Sequence, residues 1–281
     1  MILVDLNQVL LSGLMAQISG QKNIKIEEGL IRHLVLNILR MHIKQFRHEY
    51  GEVVLCCDNK TYWRKGFFPY YKAGRKKARE KSDLDWHLIF NILGNLKQEL
   101  KDNFPYKVID VDGAEADDII GTLSARHSGT EKVLILSSDG DFMQLQKYNN
   151  IKQYNPATKK FVISKNPAAE LKEKIIQGDR GDGIPNIFSP DNCFVLEQRQ
   201  KPITKNRLSE LLNENSEKYA EEIKRGFIRN KTLIDLEMTP KEIQIAIIES
   251  FENCKPSPKS KLINYFIEKK LKNLMDVIEE F

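Results

Sequence analysis

Carboxylates recur at the ends of apolar runs in this sequence. Asp5 follows Ile2 to Val4, Asp58 follows Val53 to Cys57, and Asp139 and Asp141 follow Val133 to Ser137. Glu115 and Asp118 follow a fourth run, Lys107 to Val111, at an i,i+3 spacing that puts both on one face of a helix. Each acid alone reads equally as a strand-end turn residue or a helix cap. Repeated at four strand ends, they point to one cleft, because ligands of parallel α/β sheets bind outside the carboxyl ends of the strands. Two carboxylates about 5 Å apart repel by roughly 3 kcal/mol at an effective dielectric of about 20. Such a cluster stays ionised only if cations neutralise it. Hard oxygen donors without a supporting His or Cys set favour Mg²⁺, with Mn²⁺ as a substitute. Asp117 points about 100° away from Asp118 on the helix and is the weaker candidate. The five histidines form no HExxH pair and read as ordinary helix or surface residues.

A last acidic pair, Asp179 and Asp182, lies in GDRGDGIP. It is not a Walker A loop, but its glycines allow tight turns and close backbone approach to a ligand. Cation or phosphate-backbone binding is one reading, and a bare interhelical turn the other.

The charge balance sharpens the picture. The 281 residues hold 44 Lys+Arg and 39 Asp+Glu, a net +5. The excess is local, since residues 59–82 carry nine Lys/Arg against the single acid Glu80. The same segment holds Tyr62, Trp63, Phe67, Phe68, Tyr70 and Tyr71. Cations neutralise phosphates and rings stack on bases, so this composition suits a flexible nucleic-acid strand. A solvated surface loop is the plainer alternative. Lys60, Trp63, Lys65, Lys76, Lys77 and Arg79 are the candidate contacts here, with Arg180 in the glycine-rich turn. Acids aimed at a cleft beside such a segment have one economical chemistry: two metal ions activate water and stabilise the leaving oxygen of a phosphodiester, while basic groups hold the phosphates.

The positioning elements follow from periodicity. Strand-like runs alternate with helical patterns through the first 150 residues, which predicts an α/β fold with a mostly parallel central sheet. Residues 151–163 read as a hairpin turning at Asn155-Pro156. From about Pro167 the pattern becomes helical, so residues 1–166 are expected as the catalytic domain and 167–281 as a smaller helical one. Residues Leu262, Ile263, Phe266, Ile267, Leu271, Leu274, Met275 and Ile278 recur at helical spacing, for packing on their own domain or for a partner. At 41% hydrophobic and 30% charged, with a mean hydropathy of −0.45, the chain is too polar for a membrane protein and too apolar for a disordered one. Four cysteines without a CxxC spacing fit a reducing cytoplasm.

VDLNQ, LCCDN, YWRKGFFPYYKAGR, EADD, SSDGDF and GDRGDGIP occur in the order found in the 5′-nuclease (flap endonuclease) superfamily, which includes the 5′-nuclease domain of bacterial DNA polymerase I. The chain resembles that superfamily over almost its full length. The resemblance implies a PIN-like α/β domain, a helical arch formed by residues 59–82, and a helix-three-turn-helix in the C-terminal domain. It implies that Asp5, Asp58, Glu115, Asp118 and Asp139 surround one Mg²⁺, and that Asp141, Asp179 and Asp182 hold a second, partly through water. Arg64, Tyr71, Lys72 and Arg75 match arch residues that contact the scissile phosphate region, with Tyr71 as a stacking platform. The superfamily's GDxxDNIPGVPGIG is GDRGDGIPNIFSPDN here, so Arg199, Lys201, Lys205 and Arg207 stand to make the duplex contact.

The implied activity is that of a metal-dependent 5′→3′ exonuclease and flap endonuclease, a monomer that removes RNA primers and adjacent DNA during lagging-strand replication. Its implied substrates are RNA·DNA and DNA duplexes with 5′ ends or flaps, and a single-strand-binding protein or sliding clamp is the implied partner. A PIN-type ribonuclease for single-stranded RNA and a non-catalytic structure-specific DNA-binding protein are the competing readings.

Overall fold

The computed structural model describes residues 1–18, 27–82 and 84–281. One sheet is built from β1 (Ile2–Asp5), β2 (Val53–Cys56), β3 (Lys107–Ile109), β4 (Val133–Leu136), β5 (Ile151–Asn155) and β6 (Lys160–Val162), in the order β3-β2-β1-β4-β5-β6. All neighbours are parallel except β6, which turns back antiparallel on β5. Parallel strands are covered on both faces and so read as unbroken apolar runs. Every residue of β1, β2 and β4 is buried accordingly. The hairpin forms where expected, with Asn155 Oδ1 accepting the backbone N–H groups of Ala157 and Thr158.

The helices are α1 (Leu6–Ile18), α2 (Glu28–Tyr50), α3 (Trp63–Phe67), α4 (Ala73–Glu80), α5 (Trp86–Asn103), α6 (Ala116–Arg126), α7 (Pro167–Gln177), α8 (Lys205–Asn213), α9 (Glu221–Ile234), α10 (Lys241–Asn253), α11 (Lys259–Glu268) and α12 (Lys272–Met275). One sheet face, with Ile2, Val4, Val53 and Leu55, packs against α1, α2, α5 and α11. The opposite face, with Leu3, Val54, Cys56 and Ile135, packs against α6 and α10. No helix among the described residues is long and apolar enough to cross a membrane.

A third core joins Phe68 and Tyr71 of the basic segment to Ile175, Ile187, Leu211, Phe227 and Leu233 of the region from α7 to α9. The end of the chain then returns to the sheet. Phe281 is fully buried, its ring 5.8 Å from Phe104 and 5.3 Å from Phe266. The packing therefore does not divide at residues 166/167: α7 to α9 lean on the basic segment, whereas α10 and α11 complete the layers that cover the sheet. Leu262, Phe266, Leu271 and Leu274 spend the C-terminal apolar stripe on that core, and Ile263 and Ile267 remain exposed.

The account predicts that Phe281→Ala lowers the unfolding free energy by about 3 kcal/mol. Exposed Ile263→Ala should change it by less than about 0.5 kcal/mol, and urea denaturation followed by circular dichroism distinguishes the two.

Candidate active site

The neighbouring parallel strands β2, β1 and β4 end side by side, at a strand spacing of about 4.8 Å. Each delivers a carboxylate at that edge. Asp5 closes β1, accepting hydrogen bonds from Ser137 Oγ at 2.9 Å and the Gln8 backbone N–H at 3.3 Å. Asp58, just past β2, accepts from Asn7 Nδ2 and the Ala116 backbone N–H, both at 2.9 Å. Asp139, past β4, accepts the Asp141 backbone N–H at 2.9 Å. With Asp117, Lys72 and Arg75 these acids line a cleft of about 340 Å³.

The electrostatics are those of crowded like charges. Burial, followed by the neighbouring Asp58 carboxylate, pushes Asp5 up to about 7. Burial and Asp139 push Asp117 well above the usual carboxylate range. Asp139 is raised too, by burial and the facing acids Asp182 and Asp179, against the opposing pull of Lys174.

Two ligands expected beside these acids, Glu115 and Asp118, do not line this cleft. Glu115 is the N-cap of α6 and Asp118 its third residue, and their side chains and backbone N–H groups pair reciprocally in a capping box. Asp118 is 0% exposed. Its oxygens accept from Arg64 Nη1 at 2.9 Å, Thr239 Oγ1 at 2.8 Å, Trp63 Nε1 at 3.2 Å and the Glu115 backbone N–H at 2.9 Å. The i,i+3 spacing does bring Glu115 and Asp118 together, both accepting from Arg64 Nη1, but on the side turned to the basic segment and away from the strand-end acids. Asp117, the weaker candidate in the sequence, is the α6 acid that faces Asp5, Asp58 and Asp139. The E-A-D-D spelling of a capping box was the available signal.

Glu115 is itself nearly enclosed. It accepts from Lys72 Nζ at 2.6 Å, Arg64 Nη1 at 3.0 Å and the Tyr71 hydroxyl at 3.1 Å. Arg64 is buried, with its Nε donating to the Leu233 carbonyl at 2.9 Å, so it secures α6 and α9 and does not face solvent. Tyr71 is buried as well, its hydroxyl 3.1 Å from Glu115 Oε2 and 3.0 Å from Asp182 Oδ2, with its single proton to give to one of them. It is not a stacking platform: the third core needs its ring. Trp63 is likewise committed, to Asp118 through its indole N–H and to Arg64, 4.7 Å over its ring.

Lys72 and Arg75 do reach the acids. Lys72 sits at φ 56, a costly conformation for a residue with a side chain, fastened by its N–H to the Asp182 carbonyl at 2.7 Å. Burial opposes its charge, but Asp182 and Glu115 hold it protonated. Arg75 pairs with the Asp182 carboxylate. Gly183, at φ 73, lies so near the Tyr70 carbonyl that a Cβ would come within 2.9 Å of it. Asn230 Nδ2 donates to the Ile175 and Pro185 carbonyls, and Arg229 Nη2 to those of Pro185 and Asn186, so α9 shapes the turn that presents Asp179 and Asp182.

Sequence reasoning missed Lys174 altogether. Its ammonium pairs with Asp141 and, at 2.9 Å, with Asp179. Against the burial that would raise it, Lys174 holds the Asp179 carboxyl below the usual range. Nothing in LKEKIIQ distinguishes this lysine from its neighbours. Lys60, Lys65, Lys76, Lys77, Arg180, Arg199, Lys201 and Lys205 are exposed, and Arg207 and Arg79 half-buried. Lys77 pairs with Glu197 and Arg207 with Glu210.

The donor set suits a hard divalent cation. Its groups are carboxylates, they repel one another, and ammonium groups already stand among them. Among the described residues no three potential ligands close into a cage of their own. An open, carboxylate-lined cleft matches an ion such as Mg²⁺, which keeps several waters and takes one or two protein carboxylates.

The family model described as "5'-3' exonuclease, N-terminal resolvase-like domain" matches residues 1–175, and that described as "T4 RNase H, C terminal" matches residues 166–281. The chain belongs to the 5′-3′ exonuclease family. It is 35% identical to ribonuclease H of Enterobacteria phage T4 over 291 aligned residues, covering 99% of this chain and 95% of that one. Its fold is similar to that of T5 5′-exonuclease solved with divalent zinc, at a TM-score of 0.62 and 15% identity over 91% of this chain and 99% of that one. The bacteriophage T5 flap endonuclease, solved as a pseudo-enzyme-product complex with DNA and metal ions, gives 0.59 at 15% identity over 90% and 99%. These structures share the PIN-like α/β fold of the exonuclease family with this chain.

Two consequences for stability follow from the acids. A carboxyl raised in the folded chain keeps a proton that the unfolded chain releases, so stability is lost as pH rises from about 4 through about 7. Thermal melts in EDTA should fall across that window, and Asp117→Asn should melt higher than the parent at pH 8. Asp118→Asn should instead lose about 3 kcal/mol at either pH, because it leaves Arg64 buried with a weakened partner set.

Proposed function

We propose that this exonuclease-family chain is a divalent-metal-dependent 5′→3′ exonuclease and flap endonuclease that removes RNA primers and adjoining DNA during lagging-strand replication. The observation that carries the reading is the cleft of mutually repelling carboxyls, Asp5, Asp58, Asp117 and Asp139, with Lys72 and Arg75 at its rim. A protein that only bound nucleic acid would gain nothing by aiming four acids at a polyanion. The names of the relatives support the same chemistry, since the phage T4 protein is a ribonuclease H and the T5 structures contain metal ions, one of them with DNA.

In this reading Asp5, Asp58, Asp117 and Asp139 hold one Mg²⁺ ion, and Asp141, Asp179 and Asp182 hold another. When bound, the pair supplies an activated water and stabilises the leaving oxygen, and Mn²⁺ substitutes. Lys174 is the counter-ion of the second group and yields its place on Asp141 and Asp179. Glu115 acts by fixing Lys72, whose ammonium then neutralises the scissile phosphate as charge develops. Arg75 receives the adjacent phosphate. Arg64 and Asp118 act through position only, holding the α6 N-terminus against the basic segment. Lys60, Lys65, Lys76 and Arg180 lie along the outer path of the strand, and Arg199, Lys201, Lys205 and Arg207 along the duplex. Ile263 and Ile267 of α11 offer the exposed apolar contact for a replication partner such as a single-strand-binding protein or sliding clamp.

Incubation with 5′-labelled flapped DNA and RNA·DNA duplexes should release short 5′ products in Mg²⁺ or Mn²⁺ and none in EDTA. Products in EDTA would overturn the reading, and preference for free single-stranded RNA would replace it with a PIN-type ribonuclease. Asp117→Asn should abolish cleavage while retaining DNA binding. Lys72→Ala should lower kcat by about 10²-fold and leave KM within a few fold, the signature of a group that acts in the transition state.

A further inference from the structure

The aromatic residues of the basic segment are mostly spent inside the protein, yet on another helix the Phe90 ring stands exposed beside its cations, with the half-buried Trp86 next to it. α4 carries Arg75, Lys76, Lys77 and Arg79 against one acid, Glu80. Beyond its far end the first turn of α5 bounds a cleft of about 440 Å³, with Lys76, Arg79, Trp86, His87 and Phe90 around it. The Trp86 and Phe90 rings lie 5.7 Å apart, tilted by 32°. The Arg79 guanidinium sits 5.2 Å from the Phe90 ring centre, while Phe90 stays 41% exposed. Asp85, the acid nearest these rings in sequence, is committed to capping α5 through the Leu88 N–H.

We propose that this cleft is a base-stacking subsite for the single-stranded 5′ arm of the substrate. The inference rests on the nuclease reading, which requires such an arm to leave the acids past Lys72 and Arg75. From there α4, about 12 Å long, runs along the side of the cleft, with cations along its length. A base laid on the open side of the Phe90 ring, which Trp86 backs, extends a stack that Arg79 already begins, and Lys76 meets the flanking phosphate. Every base has a π face, so the arm is held without sequence preference, and ribose and deoxyribose arms are held alike.

The test compares a DNA duplex carrying a long single-stranded 5′ arm with the same duplex lacking it, by fluorescence anisotropy in Ca²⁺. Phe90→Ala should weaken binding of the armed duplex about tenfold, within the range for losing one stacked base, and leave the armless duplex unaffected. Arg79→Gln should shift the same ratio in the same direction. Of the two tryptophans, Trp86 should account for quenching by the arm, so Trp86→Phe should lose it. Equal losses on both duplexes, or no loss on the armed one, would overturn the subsite, and the latter would return the cleft to a protein partner. Cleavage without an arm-specific loss removes the subsite and keeps the nuclease; an arm-specific loss in a protein that cleaves nothing keeps the subsite and removes the nuclease.

Discussion

The structure depends on repulsion between carboxylates. Three neighbouring parallel strands and one helix N-terminus bring Asp5, Asp58, Asp139 and Asp117 to one cleft, and burial removes the water that would screen them. Carboxylates about 5 Å apart repel by roughly 3 kcal/mol at an effective dielectric of about 20. The fold tolerates this only where protons or cations take up the charge. Lys72 lies against Glu115, Lys174 between Asp141 and Asp179, and Arg75 against Asp182. A site that already gathers cations to balance its acids is tuned to bind them, at a cost in stability when they are absent.

Those cations and acids are held by one continuous scaffold. The backbone of Lys72 is fastened to Asp182, the glycine turn closes against Tyr70, and α9 gathers the carbonyls of that turn through Arg229 and Asn230. Arg64 then ties the basic segment to α6. The groups that would neutralise phosphate and those that would hold metal therefore share supports, and neither set can shift alone. Strain of about 1–3 kcal/mol at Lys72, in its left-handed conformation, is what that shared support sustains.

Much of this was legible in the residues. Buried parallel strands have only apolar runs to be recognised by, so β1, β2 and β4 and the acids that end them were read where they lie. The hairpin was legible because Asn155-Pro156 spells its turn. The choice between Asp117 and Asp118 was not, because the two lie about 100° apart on α6 and which of them turns to the strand ends is decided by Arg64 and Thr239, which draw Asp118 away. Trp63 was read as a nucleic-acid contact from its company, and Arg64 and Tyr71 as phosphate-facing from the resemblance. Composition reports that rings and cations are near one another, but which of them face inward is decided by α7 to α9, which arrive about a hundred residues later. Lys174 had no signature in its own helix, since its role is made by Asp141, from a loop 33 residues upstream, and by the turn after α7 that brings Asp179 back to it.

The central claim is that cation binding is built on Asp117 and the strand-end acids, with Asp118 as a structural residue. Crystals soaked in Mn²⁺ test this most directly, through anomalous difference density. The account predicts density beside Asp117, Asp5, Asp58 and Asp139, in direct or water-bridged reach, with Asp118 still bonded to Arg64 and Thr239. Density centred on Asp118, or none in the cleft, would contradict it.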